Sequence, residues 1–180
     1  MNRVKRFEQF LNEENGGFYK EFLTQYKFIA SVSSGMQKEY YESVVKDAKD
    51  VKISSIYDVF TEEEIERIKS RVHPKKKQCY ANSYHLCTAG LLGYNILYCE
   101  GFTEVCGIPI EHAFNKVNDL YVDITLELAV GDDVKKNDYV LIGEYQPDKA
   151  LELMAERGVY GGCYQENFIR THKENVTQHA

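Results

Sequence analysis

Apolar positions follow a helical spacing in the first third of the chain and a strand spacing in much of the rest. Val4, Phe7, Phe10 and Leu11 share one face of a helix expected over residues 2–14, ended by Asn15-Gly16-Gly17. Phe18, Phe22, Tyr26 and Ile29 mark a second helix over 18–30, and Met36, Tyr40, Val44 and Val45 the inward face of a third over 36–49. Ser54 to Phe60 reads as a connector or short helix. Thr61-Glu62-Glu63-Glu64 has the form of a capping box opening a helix over 62–71, and His73-Pro74 ends it. From Gln78 to Cys99 no residue is charged, although charged residues make up 28% of the chain. This predicts a helix buried on most sides, running from Gln78 to Gly90 or Leu92, with Gly93 closing it.

Strand signals follow. Asn95 to Cys106 is expected as a strand with a bulge at Gly101, then a turn at Gly107-Ile108-Pro109. Strands over Ile110–Val117 and Leu120–Thr125 are joined by Asn118-Asp119. Leu126 to Lys136 reads as a loop or short helix. Tyr139–Tyr145 is a further strand, Pro147 opens a helix that Gly158 stops, and the chain is expected to fray from Thr171. The pattern is α+β: a cysteine-bearing central helix on a small antiparallel sheet. It divides into an N-terminal helical region (1–72) packed on a core (73–170), and a tail (171–180).

Composition narrows the function classes. At 180 residues the chain can bury a core without disulfides. Its net charge of −6 disfavours nucleic acid as a partner. Five cysteines, an odd number, with no apolar run after the basic N-terminus, favour a reducing cytoplasm. The uncharged stretch carries Gln78, Asn82, Ser83 and His85, with Gly90 and Gly93 in its second half, so no membrane span is expected. There is no Cys-x-x-Cys or His-x-x-x-His pair, no phosphate loop and no cofactor fingerprint; neither metal nor cofactor is expected.

The candidate chemistry lies at Cys79, His112 and Asp123. A helix N-terminus stabilises a thiolate, the nucleophilic form of cysteine, and its N–H groups can hold an oxyanion. If Asn118-Asp119 is a two-residue turn, Val117 pairs with Leu120 and Phe114 with Asp123. His112 and Asp123 then share a face as diagonal neighbours, roughly 5–8 Å apart at Cβ. A carboxylate there fixes the imidazole tautomer and leaves the second ring nitrogen free as a base. Cys87, Cys99, Cys106 and Cys163 read as core residues.

At these residues the sequence resembles the transglutaminase-like branch of the papain-like cysteine enzymes. The resemblance rests on Cys79-Tyr80-x-Asn82, Tyr98-x-Glu100-Gly101-Phe102, Gly107-Ile108-Pro109-Ile110-Glu111-His112-Ala113-Phe114, Val122-Asp123-x-Thr125 and Arg157-Gly158-Val159-Tyr160-Gly161. It covers residues 78–162 and is shared with small phage and bacterial proteins. It implies acyl transfer on a protein or peptide carboxamide (protease, deamidase or transglutaminase), with Cys79 as nucleophile, His112 as base and Asp123 orienting it. Gln78 is a weaker oxyanion candidate, Asn82 a supporting residue, and Phe114 stands where tryptophan is usual. The alternative is a non-catalytic binding or effector protein on the same fold, directed at a host protein in the host cytoplasm if phage-encoded.

Overall fold

A computed structural model describes residues 17–105 and 108–178. The helix expected over 2–14, and Cys106, lie outside the described residues. Two helices open the described chain, α1 (Phe18–Val32) and α2 (Gly35–Asp47), followed by a three-residue strand β1 (Lys49–Val51) that the sequence pattern did not disclose. Next come α3 (Ile56–Val59), α4 (Glu62–Val72) and the cysteine-bearing α5 (Cys79–Cys87). Strands β2 (Ile96–Val105), β3 (Ile108–Val117) and β4 (Leu120–Val122) lead through a π-helical turn (Thr125–Val130) and a 3-10 turn (Val134–Lys136) to β5 (Tyr139–Tyr145). Helices α6 (Pro147–Arg157) and α7 (Cys163–Gln178) end it.

The five strands form one antiparallel sheet in the order β1-β5-β2-β3-β4. The sheet curls on itself. Just past β1, at one edge, Ile53 forms a parallel bridge with Tyr121 on β4, the opposite edge, and the Ser54 N–H donates to the Tyr121 carbonyl at 2.8 Å. Enclosed is a core of Val51, Ile53, Cys99, Phe114, Val134, Tyr139 and Leu141. The opposite face is covered by helices. Phe18 and Phe22 of α1 pack with Phe102, Val140, Ile142 and Tyr164, the Phe22 and Phe102 rings 4.8 Å apart. Buried residues of α6 and partly buried ones of α5 pack on Tyr98, Ala113 and Tyr145. The aromatic stripe of α1 is therefore core on its Phe18–Phe22 side. Met36, expected inward, is 49% exposed beside a groove between α2 and α7.

Local chemistry sets the element ends. Thr61 and Glu64 close a complete capping box on α4. Gly158 ends α6 in the left-handed conformation, at φ 70°. Helix α5 stops at Cys87, before the expected Gly90–Leu92: the Thr88 and Ala89 N–H groups close tighter bonds to the His85 and Leu86 carbonyls, Gly90 turns left-handed at φ 71°, and Arg71 donates to the Ala89 carbonyl at 2.7 Å. Within α5 only His85 is exposed, and its ring lies 5.5 Å from that of the exposed Tyr160. Strand β4 ends at Val122, short of Thr125, because the Asp123 carboxylate accepts the N–H groups of Thr125 and Leu126 and turns the chain into the π-helical segment. Through the stretch expected to fray, α7 stays helical to Gln178. Arg170 pairs with Glu152 and Glu156 of α6, and the His172 ring stacks on Phe168.

Candidate active site

Cys79 is the first residue of α5. The turn before it is fixed by Asn82, one helical turn on and only 2% exposed. Its side chain accepts from the Lys75 N–H (3.1 Å) and donates to the Lys75 carbonyl (2.8 Å) and to Thr125 Oγ1 (3.0 Å). Asn82 thus ties the approach to the cysteine to the segment following Asp123. Within the clamped turn Lys77 sits at φ 63°, a conformation uncommon for a non-glycine residue. Gln78 is exposed and makes no side-chain capping bond.

Strand pairing delivers the other two residues. Val117 pairs with Leu120 and Lys116 with Tyr121, the register of a two-residue turn, with Asn118 in the left-handed region at φ 53°. His112 Nε2 lies 2.6 Å from Asp123 Oδ2. With a carboxylate as acceptor, Nε2 carries the proton in that bond, so Nδ1 remains for the sulfur. Because β4 pairs only with Asn115 to Val117, the edge of β3 from Ala113 back has no strand partner among the described residues. The start of α5 docks there, and the Ala113 N–H is directed at the Cys79 sulfur, as is the Tyr80 N–H of the helix's own first turn. The structure therefore brings Cys79, His112 and Asp123 together.

Burial alone drives each group of this set toward its neutral form, and the neighbours reverse that outcome. Burial pushes the Cys79 thiol up, but its hydrogen bond to His112, the imidazolium charge and the two N–H groups bring it below the ordinary thiol value. Burial pushes His112 down, but the Asp123 charge and hydrogen bond, with Cys79, raise it well above the ordinary histidine value. Asp123, fully buried, is held below the usual carboxylate range against its desolvation by His112, by the backbone N–H of Leu126 and by Tyr139. The neighbours thus shift the pair toward a thiolate beside an imidazolium. The other described cysteines go the opposite way. Burial pushes Cys87 up to about 12 and also raises Cys99 and Cys163.

Four donors saturate Asp123: His112, the Tyr139 hydroxyl at 3.0 Å, and the Thr125 and Leu126 N–H groups at 2.9 and 3.0 Å. A hydrogen bond to a charged group is worth about 1.5–3 kcal/mol, enough in such a set to offset the several kcal/mol of burying one carboxylate. Phe114 is completely buried, its ring edge-on to Tyr139 at 5.5 Å; it supports the pair from inside the curled sheet and does not line a surface. Tyr139 and Asn115 escaped sequence reasoning, and Thr125 stood in the quoted motif without a role. Asn115, 0% exposed, donates to the Ser83 carbonyl of α5 (2.8 Å) and the Leu97 carbonyl of β2 (3.1 Å), holding the cysteine helix to the sheet. A polar residue inside an apolar strand, as at Asn115, was the available signal; Tyr139 offered none.

Among the described residues no group of three His, Cys, Asp or Glu side chains is placed to hold a metal ion. No helix among them is long and apolar enough to cross a membrane. The chain matches no protein-family model, no curated protein and no solved structure.

Proposed function

We propose that this chain is a cysteine acyl-transfer enzyme acting on a carboxamide or peptide bond of a protein or peptide, on a fold of the papain/transglutaminase-like kind. The observation that carries this reading is selective activation. Cys79 alone among the described cysteines is held below its ordinary value, and the group that does so, His112, is itself anchored by a buried carboxylate.

In this reading the Cys79 thiolate attacks the carbonyl carbon. A C–S bond forms and the carbonyl oxygen becomes an oxyanion near the Tyr80 and Ala113 N–H groups, which now face the sulfur. The C–N bond then breaks as the imidazolium of His112 gives its proton to the departing nitrogen. Water or an amine next attacks the thioester; His112 takes the acceptor's proton, the C–S bond breaks and the thiolate returns. Asp123 keeps His112 oriented and favours its charged form throughout.

Iodoacetamide alkylation tests the reading across pH. The lowered thiol and raised imidazole predict a labelling rate that rises below the ordinary thiol range, stays level while the ion pair persists, and changes again as His112 loses its proton. Cys79 should react at about pH 6 at least tenfold faster than an unperturbed thiol. A rate no greater than that of a free cysteine, together with a Cys79→Ala protein that keeps its biological effect, would sink the reading and favour a binding protein.

A further inference from the structure

Beside the candidate site lies a cleft of about 180 Å³ that the acyl-transfer chemistry leaves unused. Tyr80, which follows Cys79 at the start of α5, and Glu111, which precedes His112 on β3, both line it, while Cys79 and His112 themselves do not. Its walls include Tyr40, Tyr160 and Tyr164, and Glu100 lies at its base.

The charges are unequal in availability. Glu100 is 5% exposed and fully engaged: it accepts from the Tyr98 hydroxyl (2.8 Å) and from the Cys163 and Tyr164 N–H groups that start α7 (3.0 and 2.9 Å). Arg157, also in the wall, is held by the Gln165 side chain at 2.9 Å and lies against Gly162. Glu111 is exposed and, among the described residues, accepts from the Tyr80 hydroxyl at 3.4 Å. Two carboxylates face one guanidinium, and the carboxylate open to a ligand is Glu111. Burial first, and the Glu111 charge next, push the hydroxyls of Tyr40 and Tyr80 up, with Arg157 opposing at Tyr40. The cleft's width is set by Gly161 at φ 88°, where an added Cβ would lie 2.6 Å from the Tyr80 ring.

We propose that this cleft receives a cationic side chain, lysine or arginine, carried by the acyl donor next to the reacting carbonyl, with Glu111 as counter-charge and tyrosine faces around it. Carboxylate and aromatic faces together favour a cation over a neutral chain of equal length. The inference rests on the acyl-transfer reading for the donor's placement, and it assigns that site its substrate class.

The test labels Cys79 with three peptidyl chloromethyl ketones that differ only in the side chain beside the ketone: lysine, norleucine or glutamate. Iodoacetamide, which has no such side chain, runs alongside. The lysine reagent is expected to react about tenfold faster than the norleucine one, with glutamate slower still. Glu111→Gln is expected to bring the three rates together. Equal rates in the unaltered protein, with rapid iodoacetamide labelling, overturn the cleft assignment and leave acyl transfer standing. Slow iodoacetamide labelling removes acyl transfer instead. The cleft is then judged on the Cys79→Ala protein by the Gly161 and Gly162 amide resonances. Larger shifts with Nα-acetyl-lysine N-methylamide than with the norleucine analogue support it, and equal or absent shifts overturn it.

Discussion

The charged residue at the centre of the site is also its most deeply buried one. Asp123 is held by an imidazole, a phenol and two backbone N–H groups, and these donors do separable jobs. The backbone pair shapes the chain after β4, the imidazole couples to the sulfur, and the phenol of Tyr139 secures the carboxylate without touching Cys79. Tyr139→Phe should therefore lower stability by about 1–2 kcal/mol. Asp123→Asn, which removes the imidazolium's counter-charge, should slow Cys79 labelling at about pH 6 much more than Tyr139→Phe does. Urea unfolding and iodoacetamide rates on both variants check this ordering; equal losses of labelling would show that the phenol acts on the sulfur after all.

Among the elements, β2 is the central strand of the sheet, flanked by β3 and β5. Its register against β5 shifts between Glu100 and Gly101. A Cβ built on Gly101 would stand 2.0 Å from the Val140 carbonyl oxygen, which is backbone and cannot yield. Gly101→Ala should thus destabilise the protein by about 3 kcal/mol, read from denaturant midpoints; a loss below about 1 kcal/mol would mean the two strands can separate there without penalty. The bulge was legible because glycine inside a strand pattern is a local sign. So were the α4 capping box, the stop of α6 at Gly158 and the Asn118-Asp119 turn, and the turn's register gave the shared face of His112 and Asp123. What stayed hidden depends on distant partners. The start of α7 is capped by Glu100 from β2, and Tyr139 reaches Asp123 across the curled sheet. Strand β1 is only Lys-Asp-Val, with a single apolar residue, and declares itself through pairing with β5.

At the scale of the molecule, the described part of the region before residue 72 takes part in the sheet's closure and is not only a helical cover. Val51 and Ile53 lie inside the curl, and the bridge to Tyr121 runs through them. The two halves of the candidate site have different histories within that whole. His112 and Asp123 sit on neighbouring arms of one hairpin, and hairpins form in about 1–10 μs. Cys79 joins them only when α5 settles on the open edge of β3, a contact between segments distant in sequence, of the kind that forms late. Folding therefore awakens one thiol while it silences others. Pulse alkylation during refolding at about pH 6 should find Cys79 gaining reactivity as Cys87, Cys99 and Cys163 lose it. Parallel loss at all four would contradict this. On this account the chain carries no armed nucleophile while its sheet is still open, and reactivity itself becomes the last mark of a completed fold.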